Sequence, residues 1–112
     1  MKKRAISAGL RRSNDPSFLI LTSLAQGPKH GYALAKDIEE FAGVVLSPGT
    51  LYGAITRLEE SQLIEPEPEV DRRHPYRITA AGSTALAEVL ADMTHLASVG
   101  TQRLKTLTWR PA

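Results

Sequence analysis

The order of three segments most limits what this 112-residue chain can fold into. The first begins at His30, has apolar residues at helical spacing, and stops at Gly43. The second begins with Ser47-Pro48, a helix cap followed by a residue suited to the first helical position. The third runs from Leu63-Ile64 to a basic return strand at residues 72–79, as in a β-hairpin. Helix, capped helix and hairpin in this order predict a winged helix-turn-helix, mainly α with a small β-hairpin wing.

Further helices are predicted on both sides of this block. Asp15-Pro16 repeats the cap-and-proline start, and Gly27-Pro28 stops the helix that follows it. Thr79 caps a last helix that continues to about Val99. We expect Gly100 to break this helix, with a further short helix carrying Leu104, Leu107 and Trp109.

The last predicted helix has an apolar stripe with little core left to cover. Such a stripe on a terminal helix indicates a partner surface. Trp109, the only tryptophan, could pack on that partner, lie in a ligand pocket or do neither. We therefore expect a basic arm at 1–14, a winged helix-turn-helix at 15–79, and a C-terminal dimerisation helix and tail at 80–112. The expected dimerisation residues are Leu86, Val89, Leu90, Met93, Leu96 and Ala97.

Charge is distributed unevenly along the chain. Residues 1–14 hold five of the fourteen Lys and Arg residues and no acid, while the remainder holds nine basic and twelve acidic residues. The arm, with Lys3 and Arg4, could neutralise DNA phosphates or could be a solvated terminus. No apolar run approaches the ~20 residues that cross a bilayer, so no membrane partner is expected. With no cysteine in the sequence, a bacterial cytosol is the expected compartment.

The helix from Ser47 has an outer face of small and polar residues, which suits the major groove of double-stranded DNA. Its start favours a phosphate, since backbone N–H groups point outward there. Tyr52 could instead pack at a boundary, and Arg57 could pair with Glu60 or another acid of its own helix. The arginines of the wing could offset the acids of their own hairpin. The candidate DNA-binding residues are Ser47, Gly49, Thr50, Tyr52, Gly53, Thr56 and Arg57 on the helix, Arg72, Arg73 and His74 on the wing, and Lys3 and Arg4 on the arm.

Catalytic and metal-binding patterns are not found in the sequence. His30, His74 and His95 fall in three different predicted elements, without the spacing of metal ligands. Adjacent glutamates on a helix point in different directions and do not form an acid/base pair. His30, at the turn before a helix, is expected to cap or pack. We therefore predict no enzyme, no metal and no cofactor.

Five motifs together resemble the PadR family of transcriptional regulators, and the resemblance covers most of the chain. The resemblance implies a dimeric winged-helix repressor that binds a roughly two-fold symmetric operator, often near its own gene. It also implies dimerisation through the C-terminal helix, helped by the N-terminal one, as in the short branch of the family. The motifs are His-Gly-Tyr at 30–32, Ser-Pro-Gly-Thr-Leu-Tyr at 47–52, Arg-Leu-Glu-Glu at 57–60, Leu-Ile-Glu at 63–65, and Tyr-Arg-Ile-Thr-Ala-Ala-Gly at 76–82.

Two other functions stay open at the level of sequence. The mild acidity outside the arm is compatible with a winged-helix protein-protein interaction module that does not bind DNA. The second open function is a sensor that captures a small aromatic effector at the dimer interface. The resemblance implies effectors that range from phenolic compounds to drugs. No motif indicates a particular effector.

Overall fold

The computed structural model describes residues 15–69 and 71–107. Lys3 and Arg4 of the predicted arm, and Trp109, lie outside the described residues. The elements run in the predicted order, so the mainly α fold with a hairpin wing is confirmed. They are α1 (Pro16–Leu24), α2 (Gly31–Ala42), α3 (Pro48–Glu60), β1 (Ile64–Pro66), β2 (Tyr76–Ile78) and α4 (Ala80–Thr106).

Each helix begins at the residue that the sequence indicates. Ser47 Oγ accepts a hydrogen bond from Thr50 N–H at 3.2 Å, and Thr79 Oγ1 accepts one from Gly82 N–H at 3.0 Å. Asp15 Oδ1 likewise accepts from Ser17 N–H at 3.2 Å. These caps satisfy backbone donors that the first helical turn would otherwise leave unpaired.

The core lies where α1 meets the two helices that follow it. Ile20 of α1, Leu34 and Ile38 of α2, and Ile55 of α3 are almost completely inaccessible. Phe41 has helical spacing with Leu34 and Ile38, but it is 47% exposed. It lies in the last turn of α2, beyond the contact that Leu34 and Ile38 make with the core. The apolar side of α3 lies entirely in this core, with Leu51, Ala54, Ile55 and Leu58 all buried.

A polar network joins α1, α2 and the loop between them. Ser23, only 1% exposed, donates from Oγ to Asp37 Oδ2 at 2.6 Å. Lys29 Nζ donates to the Ser23 carbonyl at 2.6 Å and lies 3.8 Å from Asp37 Oδ2. The Lys29 backbone exchanges two hydrogen bonds with Tyr76 of β2, at 3.1 and 2.8 Å. Lys29 therefore connects the wing to the helical core.

The wing is a two-stranded antiparallel hairpin in which Ile64 faces Ile78 and Glu65 faces Arg77. Ile64 is buried against the helices and anchors the hairpin to the core. Asp71 and Arg72, near the tip, both have positive φ, at 50° and 64°. This left-handed backbone turns the chain between the two strands.

The C-terminal helix is longer than the sequence suggested. We expected Gly100 to break it, but α4 is continuous through Gly100 to Thr106, so that expectation was wrong. A glycine costs only about 1 kcal/mol in a helix interior relative to alanine, and no proline lies between Gly100 and the end of α4. Arg103 and Lys105 in the last turn suit the negative end of the helix dipole. No helix of the described residues is long and apolar enough to cross a membrane.

Candidate nucleic-acid interface

The predicted DNA-binding face of α3 is accessible along its whole length. Ser47, Gly49, Thr50, Thr56 and Arg57 are exposed, Tyr52 is about half-exposed, and Gly53 is half-buried. Two hydroxyls are oriented within the helix itself, since Ser47 Oγ bonds Thr50 Oγ1 at 3.0 Å and Thr56 Oγ1 donates to the Tyr52 carbonyl at 2.9 Å. The face is therefore thin, polar and accessible to a partner.

Arg57 lies back along this face over Gly53. Its Nη1 is 3.6 Å from the position that a Cβ atom on Gly53 would occupy. Within the described residues Arg57 makes no ion pair, so the alternative of pairing with Glu60 is not what the structure contains. The guanidinium can therefore bind an acceptor outside the chain.

The acids of the wing are offset by a residue that the sequence analysis did not select. Arg77 pairs with Glu65, directly opposite on β1, and its Nε lies 3.9 Å from Glu67 Oε2. His74 Nε2 lies 3.6 Å from Glu69 Oε1. The cross-strand register of Glu65 and Arg77 was the signal that could have identified this pairing.

Arg72 and Arg73 remain outside these wing pairings. Neither makes an ion pair in the part of the chain that the structure describes. The alternative in which these arginines neutralise the acids of their own hairpin is therefore not observed. His74, also a candidate, is the residue that faces an acid.

A cleft of about 370 Å³ lies between the start of α2, the exposed side of α3 and the wing. On one side of it, His30 Nδ1 accepts a hydrogen bond from Ala33 N–H at 3.4 Å, which confirms the expected capping role. On the other side of the same ring, His30 Nε2 lies 3.1 Å from Arg73 Nη1. The cleft is lined by His30, Gly31, Tyr32, Tyr52, Arg72, Arg73, His74 and Tyr76.

Tyr52 packs against the start of α2 in this cleft. A Cβ atom on Gly31 would overlap the Tyr52 hydroxyl, so the glycine at this position allows the Tyr52 ring to lie against α2. Burial, with smaller contributions from Glu59 and Tyr52, raises the pKa of Tyr76 above its ordinary value. The Tyr76 hydroxyl therefore keeps its proton and can donate it in a hydrogen bond. Tyr52 thus both packs at a boundary and lines an accessible surface.

A second, more apolar groove of about 580 Å³ separates α1 from α4. Phe18 and Leu21 line one wall, and Val89 and Met93 line the other. Val89, Leu90 and Leu96 are 41%, 42% and 68% exposed, and Ala97 is exposed as well. Leu86, the first residue of the predicted stripe, is instead buried in the core of its own chain.

The fold and these surfaces define a winged helix-turn-helix regulator. A family model described as the transcriptional regulator PadR-like family matches residues 20–88. The chain therefore belongs to the PadR-like family of transcriptional regulators.

Individual relatives agree with this assignment. The chain is 35% identical to "Transcriptional regulator Rv3488" of Mycobacterium tuberculosis, over 73% of this chain and 89% of that protein. It is 45% identical over 85 residues to an uncharacterised 37.1 kDa protein in transposon TN4556 of Streptomyces fradiae, and it spans only 25% of that protein's length. A crystal structure of a PadR family transcription regulator from Clostridium difficile R20291 superposes with a TM-score of 0.72 at 26% identity, over 80% of this chain and 97% of that one.

Proposed function

We propose that the chain is a homodimeric repressor that binds a pseudo-palindromic operator in double-stranded DNA through α3 and the wing, within the cytoplasm. The observation that carries this proposal is the exposed polar face of α3 beside two wing arginines that make no ion pair in the described residues. Helix-turn-helix proteins read base edges with residues of the second helix while neighbouring basic groups hold phosphates. The candidate residues of α3 and Arg72 and Arg73 have the exposure that these roles need.

The dimer is proposed from the exposed apolar side of α4. Val89, Leu90, Leu96 and Leu104 are large apolar residues between 41% and 71% exposed, and helical spacing places them along one side. A surface of this kind on one helix is typical of a partner contact. A two-fold dimer would present two copies of α3 to two half-sites.

A small aromatic effector is proposed for the groove between α1 and α4. Its volume lies within the range of small-molecule sites, and Phe18 and Met93 on its walls suit a flat apolar ligand. Because Val89 belongs both to this groove and to the proposed dimer surface, a bound ligand would alter how the two copies pack. This links ligand binding to the spacing of the two α3 helices.

DNA binding is tested by fluorescence anisotropy with the promoter of the chain's own gene, titrated with salt. We expect log K to fall linearly with log[salt], because phosphate contacts release counterions. R57Q and Y52A should weaken binding and leave the oligomeric state unchanged. The matched control is R103Q, which removes the same charge from the far end of α4.

Stoichiometric capture of a protein partner by a chain without DNA affinity would instead establish the interaction-module alternative.

The dimer is tested by analytical ultracentrifugation of two glutamate variants on α4. L96E places a charge on the proposed partner surface, and we expect it to give monomers. A91E makes the same kind of change five residues earlier, which helical geometry places on the opposite side, and we expect it to remain dimeric. Equal behaviour of the two variants would refute this dimer surface.

A further inference from the structure

We propose that the cleft between α2, α3 and the wing is a binding site for one phosphate group of the DNA backbone, with His30 and Arg73 as its paired donors. This inference rests on the proposed DNA-binding function and adds a specific site to it. It gives His30, which the sequence indicated as a capping or packing residue, a second role at the other nitrogen of its ring.

The geometry of His30 carries the argument. A neutral imidazole has one nitrogen that accepts and one that donates. Since Nδ1 accepts the cap hydrogen bond from Ala33, Nε2 carries the proton in the capping tautomer. The protonated His30 Nε2 then lies 3.1 Å from Arg73 Nη1, and both of these nitrogens are donors. The ring can cap α2 or accept from Arg73, and it cannot do both.

An anionic oxygen resolves this conflict. An oxygen placed beside both nitrogens would accept from His30 Nε2 and from the Arg73 guanidinium together, and the ring would keep its cap. Hydrogen bonds from a guanidinium to a phosphate are short and strong. The start of α2 adds outward-pointing backbone N–H groups and the positive end of the helix dipole to the same side.

The remaining walls of the cleft suit a phosphate rather than an apolar ligand. Arg72 adds a second guanidinium, and Tyr52 and Tyr76 bring hydroxyl groups. Two acids lie near the wing side. Asp71 borders the adjoining hollow together with His30 and Arg73, and Glu69 faces His74. The lining of the cleft itself, within the described residues, holds two guanidiniums and no carboxylate.

The position of the cleft selects DNA as the source of the phosphate. Its walls come from α2, α3 and the wing, which are the three parts of a winged helix-turn-helix that approach the duplex. Tyr52 belongs both to this cleft and to the exposed face of α3, so the two surfaces are continuous. A backbone phosphate flanking the groove that α3 enters would reach His30 and Arg73.

Two substitutions distinguish the contribution of the Arg73 charge from that of the His30 hydrogen bond. R73Q should reduce the slope of log K against log[salt] by about 0.9 for each cleft, thus by about 1.8 for a dimer. H30S keeps a good N-cap but removes the imidazole donor, so we expect roughly tenfold weaker binding with an unchanged slope. The matched control is R77Q, which removes a wing charge that is already paired with Glu65. H30S/R73Q should be weaker than wild type by less than the product of the single effects, because both act on one phosphate.

Phosphate replacement locates the contact on the DNA. Methylphosphonate linkages placed singly along the operator should include one position per half-site that weakens the wild type but not R73Q. If the wild type binds DNA and both H30S and R73Q keep its affinity and slope, the phosphate site is refuted while the proposed function stands. If the wild type does not bind DNA at all, the proposed function itself fails.

A parallel experiment distinguishes DNA from free phosphate. The His30 ring signals in NMR spectra are followed during addition of operator duplex and, separately, of inorganic phosphate. We expect the duplex to shift them at stoichiometric amounts and inorganic phosphate to shift them only at millimolar concentrations. A shift with inorganic phosphate and none with the duplex would overturn the assignment to DNA.

Discussion

Replacing Asp37 by alanine should destabilise the protein more than its partly exposed position on α2 suggests. Within the part of the chain that the structure describes, the substitution removes the only acceptor of the Ser23 hydroxyl, which is almost completely buried. Leaving a buried donor unpaired costs about 1–3 kcal/mol. Asp37 also forms an ion pair with Lys29. The Lys29 and Asp37 side chains are 16% and 27% exposed, so this pair adds about 0.2–1 kcal/mol after allowance for solvent screening. We expect a total loss of about 1–4 kcal/mol.

The measurement is thermal and urea unfolding followed by circular dichroism, at one protein concentration because a dimer's apparent stability depends on concentration. For a domain of this size a loss of about 2 kcal/mol corresponds to a Tm lowered by about 10 °C. D37N keeps an oxygen for Ser23 and should lose less than D37A. S23A/D37A, which removes both partners of the hydrogen bond, should be more stable than D37A alone.

Glu40→Ala, an exposed change on the same helix, is the matched control and should stay within about 0.5 kcal/mol of the wild type. If D37A is also within that range, the Ser23 hydroxyl does not depend on Asp37, and the reasoning from its burial is refuted. If S23A/D37A is less stable than D37A, the unpaired hydroxyl is not the cause of the loss.

Substitutions at three further positions probe the caps and the close contacts of the fold. Ser47→Ala should cost about 1 kcal/mol in urea unfolding through the lost cap of α3, and Ser47→Asp should restore the stability but not the DNA affinity. G82A should cost about 1–3 kcal/mol or more, because its Cβ would overlap the rigid backbone carbonyl of Leu63. G31A would instead displace the end of the Tyr52 side chain, so it should cost less stability than G82A while weakening DNA binding. Equal losses of stability in the two glycine variants would contradict this distinction.

The sequence predicted the helical part of the fold well, because its helix boundaries are set by local chemistry. Ser47-Pro48 and Thr79 place a capping oxygen beside a helix-compatible residue, and the structure uses both as caps. Gly43 ends α2 in the left-handed conformation, at φ 68°. Such signals depend on a few neighbouring residues, so they can be interpreted without knowledge of the tertiary structure.

The sequence could not predict the interactions that join distant segments. His30 and Arg73 are 43 positions apart, and their contact exists only because the wing folds back against the start of α2. The backbone pairing of Lys29 with Tyr76 has the same origin. The end of α4 was predicted wrongly for a different reason. The helix penalty of Gly100 is small, and the helix-compatible residues on both sides of it keep α4 continuous.

Because α4 is long, the direction in which its exposed apolar surface faces depends on how many residues separate that surface from the buried start of the helix. At 1.5 Å per residue its 27 residues span about 40 Å, and only Gly82 and Leu86, both in its first two turns, are buried. In the proposed dimer this helix would set the rotational orientation of one DNA-binding unit relative to the other. One residue inserted after Leu86 would turn the two surfaces by about 100° relative to each other, whereas four inserted residues would nearly restore their alignment. The operator spacing that such a protein accepts would then be encoded in the count of residues between its core and its partner surface.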